Sequence, residues 1–209
     1  MTPGVIRVLL AEDHKIVRDG LKGILAATSD IQVAGEAANG DEALALARSN
    51  EYDVAMLDMS MPGLAGIDLI KRLKSEKPAL RLLVLSMHGE QQYAARALKA
   101  GASGYLTKDS AAEQLVGAIR KIAAGGVHIS EAAAAGLVAA QQAPHQALSD
   151  REFEVLRLLA TGLSPTEIGE RLHLSVKTVS THKANVLEKL GLGGTAELVR
   201  YALEHKIVE

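Results

Sequence analysis

Glu12 and Asp13 follow the apolar run Val8-Leu9-Leu10, and Asp58 follows Val54-Ala55-Met56-Leu57. Ser86 closes Leu82-Leu83-Val84-Leu85, and Lys108 stands just past Tyr105-Leu106. Three carboxylates drawn together would repel one another unless a hard cation joined them, and an all-oxygen ligand set suits Mg2+. Beside such an ion a carboxylate can attack phosphorus, because the metal offsets charge on the transferring group. The Ser86 hydroxyl and the Lys108 ammonium are the donors that a resulting acyl phosphate needs. Taken singly, each of these residues also reads as a cap, a turn residue or a solvated charge. Their order and their places at the ends of successive apolar runs carry the inference.

A second constellation lies on residues 176–190. At about 100° per residue, Val176, Val179, Val186, Leu187 and Leu190 fall on one side of a helix. Lys177, Thr181, Ala184 and Glu188 fall on the other, flanked by Ser180 and Asn185. A helix whose outward N-terminal half offers small and polar side chains can enter a major groove and meet base edges. Lys177, Lys183 and Lys189 can reach phosphates, and Thr178 can add a hydroxyl contact. Charge alone does not argue for this use: residues 148–209 hold eight Lys and Arg against nine Asp and Glu. An ordinary solvated helix face is the competing reading.

The elements that must position these groups are legible in the hydrophobic pattern. Strands are predicted at Val5–Leu10, Ile31–Glu36, Asp53–Leu57, Leu80–Leu85 and Ser103–Leu106, with helices near 15–27, 40–50, 65–76, 90–100 and 110–124. Strand and helix alternating in this way imply a parallel sheet covered on both faces. In such a sheet, chemistry gathers at the carboxyl ends of the strands, where the acidic residues stand. Gly125-Gly126 ends the fifth helix, and residues 125–147 read as a linker in which Ala132–Ala135 could form a short helix. From 148 to 209 the pattern is helical throughout, with helices near 150–161, 165–172, 176–190 and 195–205. Ser149, Ser164 and Ser175 stand at the N-cap positions, and Glu152 completes a capping box with Ser149. The two short helices meeting at Leu174-Ser175 have helix-turn-helix spacing.

Composition narrows the field further. Of 209 residues, 48% are hydrophobic but only 2% aromatic, which disfavours single-strand binders that stack bases on rings. A net charge of −2 argues against coating nucleic acid through bulk charge. The absence of Cys excludes thiolate metal sites and cysteine nucleophiles. No apolar run approaches the roughly 18 residues that span a bilayer, and no signal peptide is evident, so a cytoplasmic protein without membrane contact is expected.

Val8-Leu9-Leu10-Ala11-Glu12-Asp13-His14, Leu57-Asp58-Met59-Ser60-Met61-Pro62-Gly63, Val84-Leu85-Ser86 and Gly104-Tyr105-Leu106-Thr107-Lys108 resemble the receiver domain of two-component response regulators. That likeness implies a flavodoxin-like, doubly wound (βα)5 domain over 1–124, in which Asp58 accepts a phosphoryl group from a sensor histidine kinase. Glu12, Asp13, Asp58 and the backbone carbonyl of Ser60 would hold Mg2+. Lys108 would pair with the phosphoryl oxygens, Ser86 would swing toward them, and Tyr105 would follow inward. Many receivers have two Asp where this chain has Glu12-Asp13. Leu148 to about Ala202 is similar to the four-helix, LuxR-type domain of NarL/FixJ response regulators, so the expected fold class is α/β plus all-α. By that likeness Ser180, Thr181 and Ala184 read bases in double-stranded DNA, although a Lys often stands at the Ser180 position. Ala196, Val199 and Leu203 either form a dimer surface or close the helical core. The resemblance implies a transcription factor that dimerises when phosphorylated or DNA-bound, and not an enzyme beyond its own phosphorylation chemistry. Its receiver surface would either occlude the DNA-binding domain or dimerise.

Three other functions share parts of this pattern. An aspartyl-phosphate phosphatase needs a second Asp two residues after its nucleophile, and Ser60 stands there. A receiver that no longer accepts phosphate would not need all the acidic and Lys positions. A quorum-type LuxR regulator would need a ligand-binding domain in place of the strand series.

Overall fold

The computed structural model describes residues 4–62, 64, 66–86, 91–129, 144–205 and 207–208, of which 91–93 and 112 are described by their backbone alone. Five strands, β1 (Ile6–Ala11), β2 (Ile31–Ala37), β3 (Val54–Asp58), β4 (Arg81–Ser86) and β5 (Gly104–Thr107), form one parallel sheet in the order β2-β1-β3-β4-β5. Because side chains alternate along a strand, the sheet has two apolar faces. Val8, Leu10, Val54, Met56, Leu83 and Leu85 pack with Leu21 and Leu25 of α1 (Lys15–Ala26) and Leu115, Ile119 and Ile122 of α5 (Lys108–Ala123). Leu9, Ala55, Leu57, Leu82 and Val84 face the other way. There they meet Leu44 of α2 (Gly40–Ser49), Ile70 and Leu73 of α3 (Gly66–Glu76) and Ala94 and Ala97 of α4 (Gln91–Lys99). Burial on both sides is why these strands read as unbroken apolar runs.

The strand order reverses between β1 and β3, which creates the crevice that doubly wound sheets use for ligands. Ala11 pairs with Leu57 across that junction, so Glu12 and Asp58 come next, side by side. The fifth helix begins two residues earlier than the sequence pattern suggests. Thr107 is its N-cap, its hydroxyl accepting from the Ser110 N–H, and Lys108 is thereby fixed at the helix's first position rather than on a loop.

Four helices follow: α6 (Asp150–Ala160), α7 (Pro165–Leu172), α8 (Val176–Leu190) and α9 (Thr195–Glu204). Ser149, Ser164 and Ser175 cap the first three, and both Ser149/Glu152 and Ser164/Glu167 make reciprocal capping boxes. At the α7–α8 turn His173 adopts a left-handed conformation (φ 53°). A Cβ on Gly169 would stand 2.8 Å from the Leu174 carbonyl oxygen, so the tight approach of turn to helix depends on glycine. Phe153, Val155, Leu156, Ile168, Val179, Val186, Leu198 and Ala202 fill the core between these helices. Val176 does not join the inward stripe as its spacing suggests. It is the first residue of α8, ahead of the core that starts at Val179, and is 46% exposed.

Residues assigned to the linker are held at both described ends. His128 pairs with Gly104, its carbonyl accepting from the Tyr105 N–H, and Pro144–Ala147 form a 3-10 turn with His145 fully buried. The expected helix at Ala132–Ala135 lies outside the described residues. The two halves meet through Arg96 of α4, which is buried against Phe153 with its guanidinium 4.2 Å from the ring centroid. It donates to the carbonyls of His145 (2.7 Å) and Leu148 (3.1 Å) and pairs with Asp150 (3.1 Å). Arg151 adds an ion pair with Asp68 of α3 at 3.0 Å.

Candidate functional site

Glu12 is fully buried directly after β1, and Asp58, the last residue of β3, is 1% exposed. Lys108 projects between them from the start of α5, its Nζ 2.6 Å from Glu12 Oε2 and 3.0 Å from Asp58 Oδ1. Burial pushes the Asp58 carboxyl above its usual range; Lys108 opposes that push, and Glu12 and Asp13 add to it. Burial acts against the Lys108 ammonium, but its contacts with Glu12 and Asp58 win and hold its pKa above the ordinary lysine value. The pocket is therefore anionic and only partly compensated by its own lysine.

Its donor set fits a cation. Asp58 Oδ2 is buried with no hydrogen-bond partner among the described residues. Glu12, Asp13 and Asp58, together with His14, offer ligand atoms within 4.8 Å of one another. Hard carboxylate oxygens in this number fit a divalent ion such as Mg2+. Ser60 lies half-buried in the turn after β3 and lines a small cleft together with Arg151, Glu154 and Arg157 of α6. Ser86 ends β4, and Tyr105 lies on β5 with its ring buried, 3% exposed. All the receiver positions singled out by sequence thus stand at the carboxyl edge of the sheet or, for Tyr105, within the adjoining strand. His88, two residues past Ser86, lies outside the described residues.

On α8, Lys177, Ser180, Thr181 and Ala184 are exposed, and Thr178, Lys183 and Asn185 are partly so. The hydroxyls of Ser180 and Thr181 donate to the carbonyls of Val176 and Lys177, which fixes their rotamers without covering them. Thr178 Oγ1 lies 2.8 Å from Ser175 Oγ in the cap, and Lys189 Nζ lies 2.6 Å from Glu152 Oε2. Both of those side chains have internal partners that the sequence alone did not indicate. On α9, Leu198 and Ala202 turn into the core, whereas Ala196 and Leu203 are exposed and Val199 is half-buried.

Sequence reasoning assigned no task to Arg96, His145 or His14. Arg96 and His145 each look unremarkable within their own segment, and only the packing of the two halves brings them together. His14 had a signal, its place directly after Glu12-Asp13.

Comparison with known proteins accords with this geometry. Residues 8–120 match the family described as response regulator receiver domain, and residues 146–202 match the bacterial regulatory proteins of the luxR family. The transcriptional regulatory protein MctR of Rhizobium johnstonii is 38% identical over 97% of this chain and 95% of its own. The response regulator UvrY of Escherichia coli is 34% identical over 96% of this chain and 95% of its own. Among solved structures, RcsB of Salmonella typhimurium superposes with a TM-score of 0.78 at 30% identity, covering 97% of this chain and 98% of that one. Among the described residues no helix is long and apolar enough to cross a membrane. With a receiver model covering residues 8–120 and full-length relatives above 30% identity, the chain belongs to the NarL/FixJ-type response regulators, which join a receiver domain to a LuxR-type DNA-binding domain.

Proposed function

We propose that Asp58 is the phosphoacceptor and that its phosphorylation controls DNA binding by α8. The observation that carries this reading is a carboxylate 1% exposed that shares the Lys108 ammonium with Glu12 at the sheet's switch point. An Asp Oδ attacks the phosphorus of a kinase phosphohistidine; the P–O bond forms as the P–N bond breaks, with its electron pair leaving on the imidazole. Glu12, Asp13, Asp58 and the Ser60 carbonyl would hold Mg2+, which supplies charge compensation for the phosphoryl oxygens. Lys108 is the pocket's own fixed cation and pairs with those oxygens once the aspartate is phosphorylated. Ser86 donates its hydroxyl to the phosphoryl group, and the Tyr105 ring follows, biasing α4 between two arrangements. The receiver spans 1–124 and the DNA-binding domain 148–209, with 125–147 between them.

In the DNA-binding domain Ser180, Thr181, Ala184 and Asn185 face base edges, while Lys177, Lys183 and Thr178 reach the backbone. Lys189 serves a phosphate only by leaving Glu152. Two copies joined through the Ala196–Val199–Leu203 face would read paired half-sites.

Incubation with labelled acetyl phosphate and Mg2+ tests the input. Label on the wild type and none on Asp58→Ala is the expected result, whereas full labelling of Asp58→Ala refutes the assignment.

A further inference from the structure

His14 turns its imidazole toward the acidic pocket. Its Nδ1 lies 3.2 Å from Glu12 Oε1 and 3.0 Å from Asp13 Oδ1. The first contact has hydrogen-bond geometry. The second does not, because Asp13 Oδ1 is buried with no hydrogen-bond partner among the described residues. The Glu12 contact needs the Nδ1–H tautomer, because a carboxylate only accepts; ligation needs the other tautomer, with the proton on Nε2 and the Nδ1 lone pair free beside the carboxylate oxygens. Ligands at roughly 2.1 Å from an octahedral metal are about 3.0 Å apart along each edge, close to both separations here.

Two further observations turn the ring to this use. The His14 N–H donates to Glu12 Oε1 at 3.0 Å, which tethers the backbone beside the carboxylates. His14 is also the N-cap of α1, yet its side chain makes no capping hydrogen bond, so the ring is not spent on the helix. Its ligand atom lies within 4.8 Å of those of Glu12, Asp13 and Asp58.

We propose that His14 is a nitrogen ligand to the divalent ion of the receiver pocket, and that it shifts the pocket's preference from Mg2+ toward Mn2+ and later first-row ions. Carboxylate, carbonyl and water ligands suit Mg2+, whereas imidazole favours transition ions and adds little to Mg2+ affinity. The proposal rests on the reading that this pocket binds a divalent cation.

Pulsed electron paramagnetic resonance of Mn2+ added to the full chain tests both layers separately. The expected spectrum contains nitrogen modulation from one imidazole, changes to the 15N pattern when histidine is 15N-labelled, and loses that modulation in His14→Ala. Labelled wild type needs no substitution, so a folding defect in the variant cannot obscure the result. In competition binding, the Mn2+-over-Mg2+ preference should fall about tenfold or more in His14→Ala, the scale on which groups around a metal act. Bound Mn2+ without histidine nitrogen coupling, or coupling and preference unchanged in His14→Ala, overturns the proposal. Failure of Mn2+ to bind at all would instead remove the cation site on which it rests.

Discussion

Lys177 and Thr181 lie one turn apart on the exposed side of α8, yet they are expected to fail differently. Lys177 is a flexible point charge, so Lys177→Ala should weaken binding to every duplex and reduce the salt dependence by about one unit. Thr181 is held by its own helix through the Lys177 carbonyl. Thr181→Ala should therefore relax the preference at one base pair, by about 1–3 kcal/mol of discrimination, and leave non-specific binding alone. Titrations of matched and mismatched duplexes at several salt concentrations distinguish the two. Unchanged operator binding by the double variant refutes the groove placement. Glu152 shows a different balance at the same scale. Burial alone would raise its pKa, but the Lys189 ammonium and the Ser149 cap hold it down at about 2. Glu152→Ala should lower stability by about 1–2 kcal/mol, through the lost cap and the stranded Lys189 ammonium. Chemical denaturation measures this.

Among the elements, the 3-10 turn Pro144–Ala147 ties together segments from both halves. The His145 ring lies 2.9 Å by its Nδ1 from the Tyr201 hydroxyl, edge-on to His205 and 6.0 Å between centroids from Phe153. Its carbonyl accepts from Arg96. Burial, with smaller contributions from the neighbouring His205 and Arg96, pushes the imidazole down to about 4. A base whose pKa is depressed in the docked turn stabilises that turn fully above the ordinary histidine value and loses the contribution as pH falls toward 4. The turn should open by roughly tenfold per pH unit between about 6.5 and 4. Hydrogen exchange at residues 145–150, corrected for the intrinsic rate, should report this, and His145→Phe should abolish the dependence. Equal pH dependence in both proteins contradicts it. This turn also marks the limit of what sequence discloses. Among the described residues, the five strands, nine α-helices and serine caps follow from period and N-cap chemistry, which are local. The acidic edge follows because a parallel sheet orders its strand ends. The turn, Arg96 and the Lys189–Glu152 pair depend on contacts between segments far apart in the chain, for which a single sequence has no periodic signal. Val176 failed its stripe for a related reason: periodicity gives a direction around the helix and says nothing about where the neighbouring core ends.

In the whole molecule, the receiver holds the DNA-binding half by α3 and α4, while the outward face of α8 stays exposed. Control in this arrangement need not pass through unmasking that face. It can pass through Ser86 and α4, which carries Arg96, and through the surfaces that bring two copies together. Arg96→Ala removes the buried guanidinium that spans the two halves. It should increase the radius of gyration in small-angle scattering while leaving labelling of Asp58 intact. An unchanged radius would show that this residue does not hold the halves together. The central claim is that chemistry at one carboxylate sets DNA occupancy at the far end of the chain. Footprinting of the target promoter with and without acetyl phosphate, in wild type and Asp58→Ala, tests it most directly. Protection of two half-sites on one face of the duplex should strengthen on phosphorylation in the wild type and stay at its basal level in Asp58→Ala. Protection that responds equally in both proteins, or in neither, contradicts it.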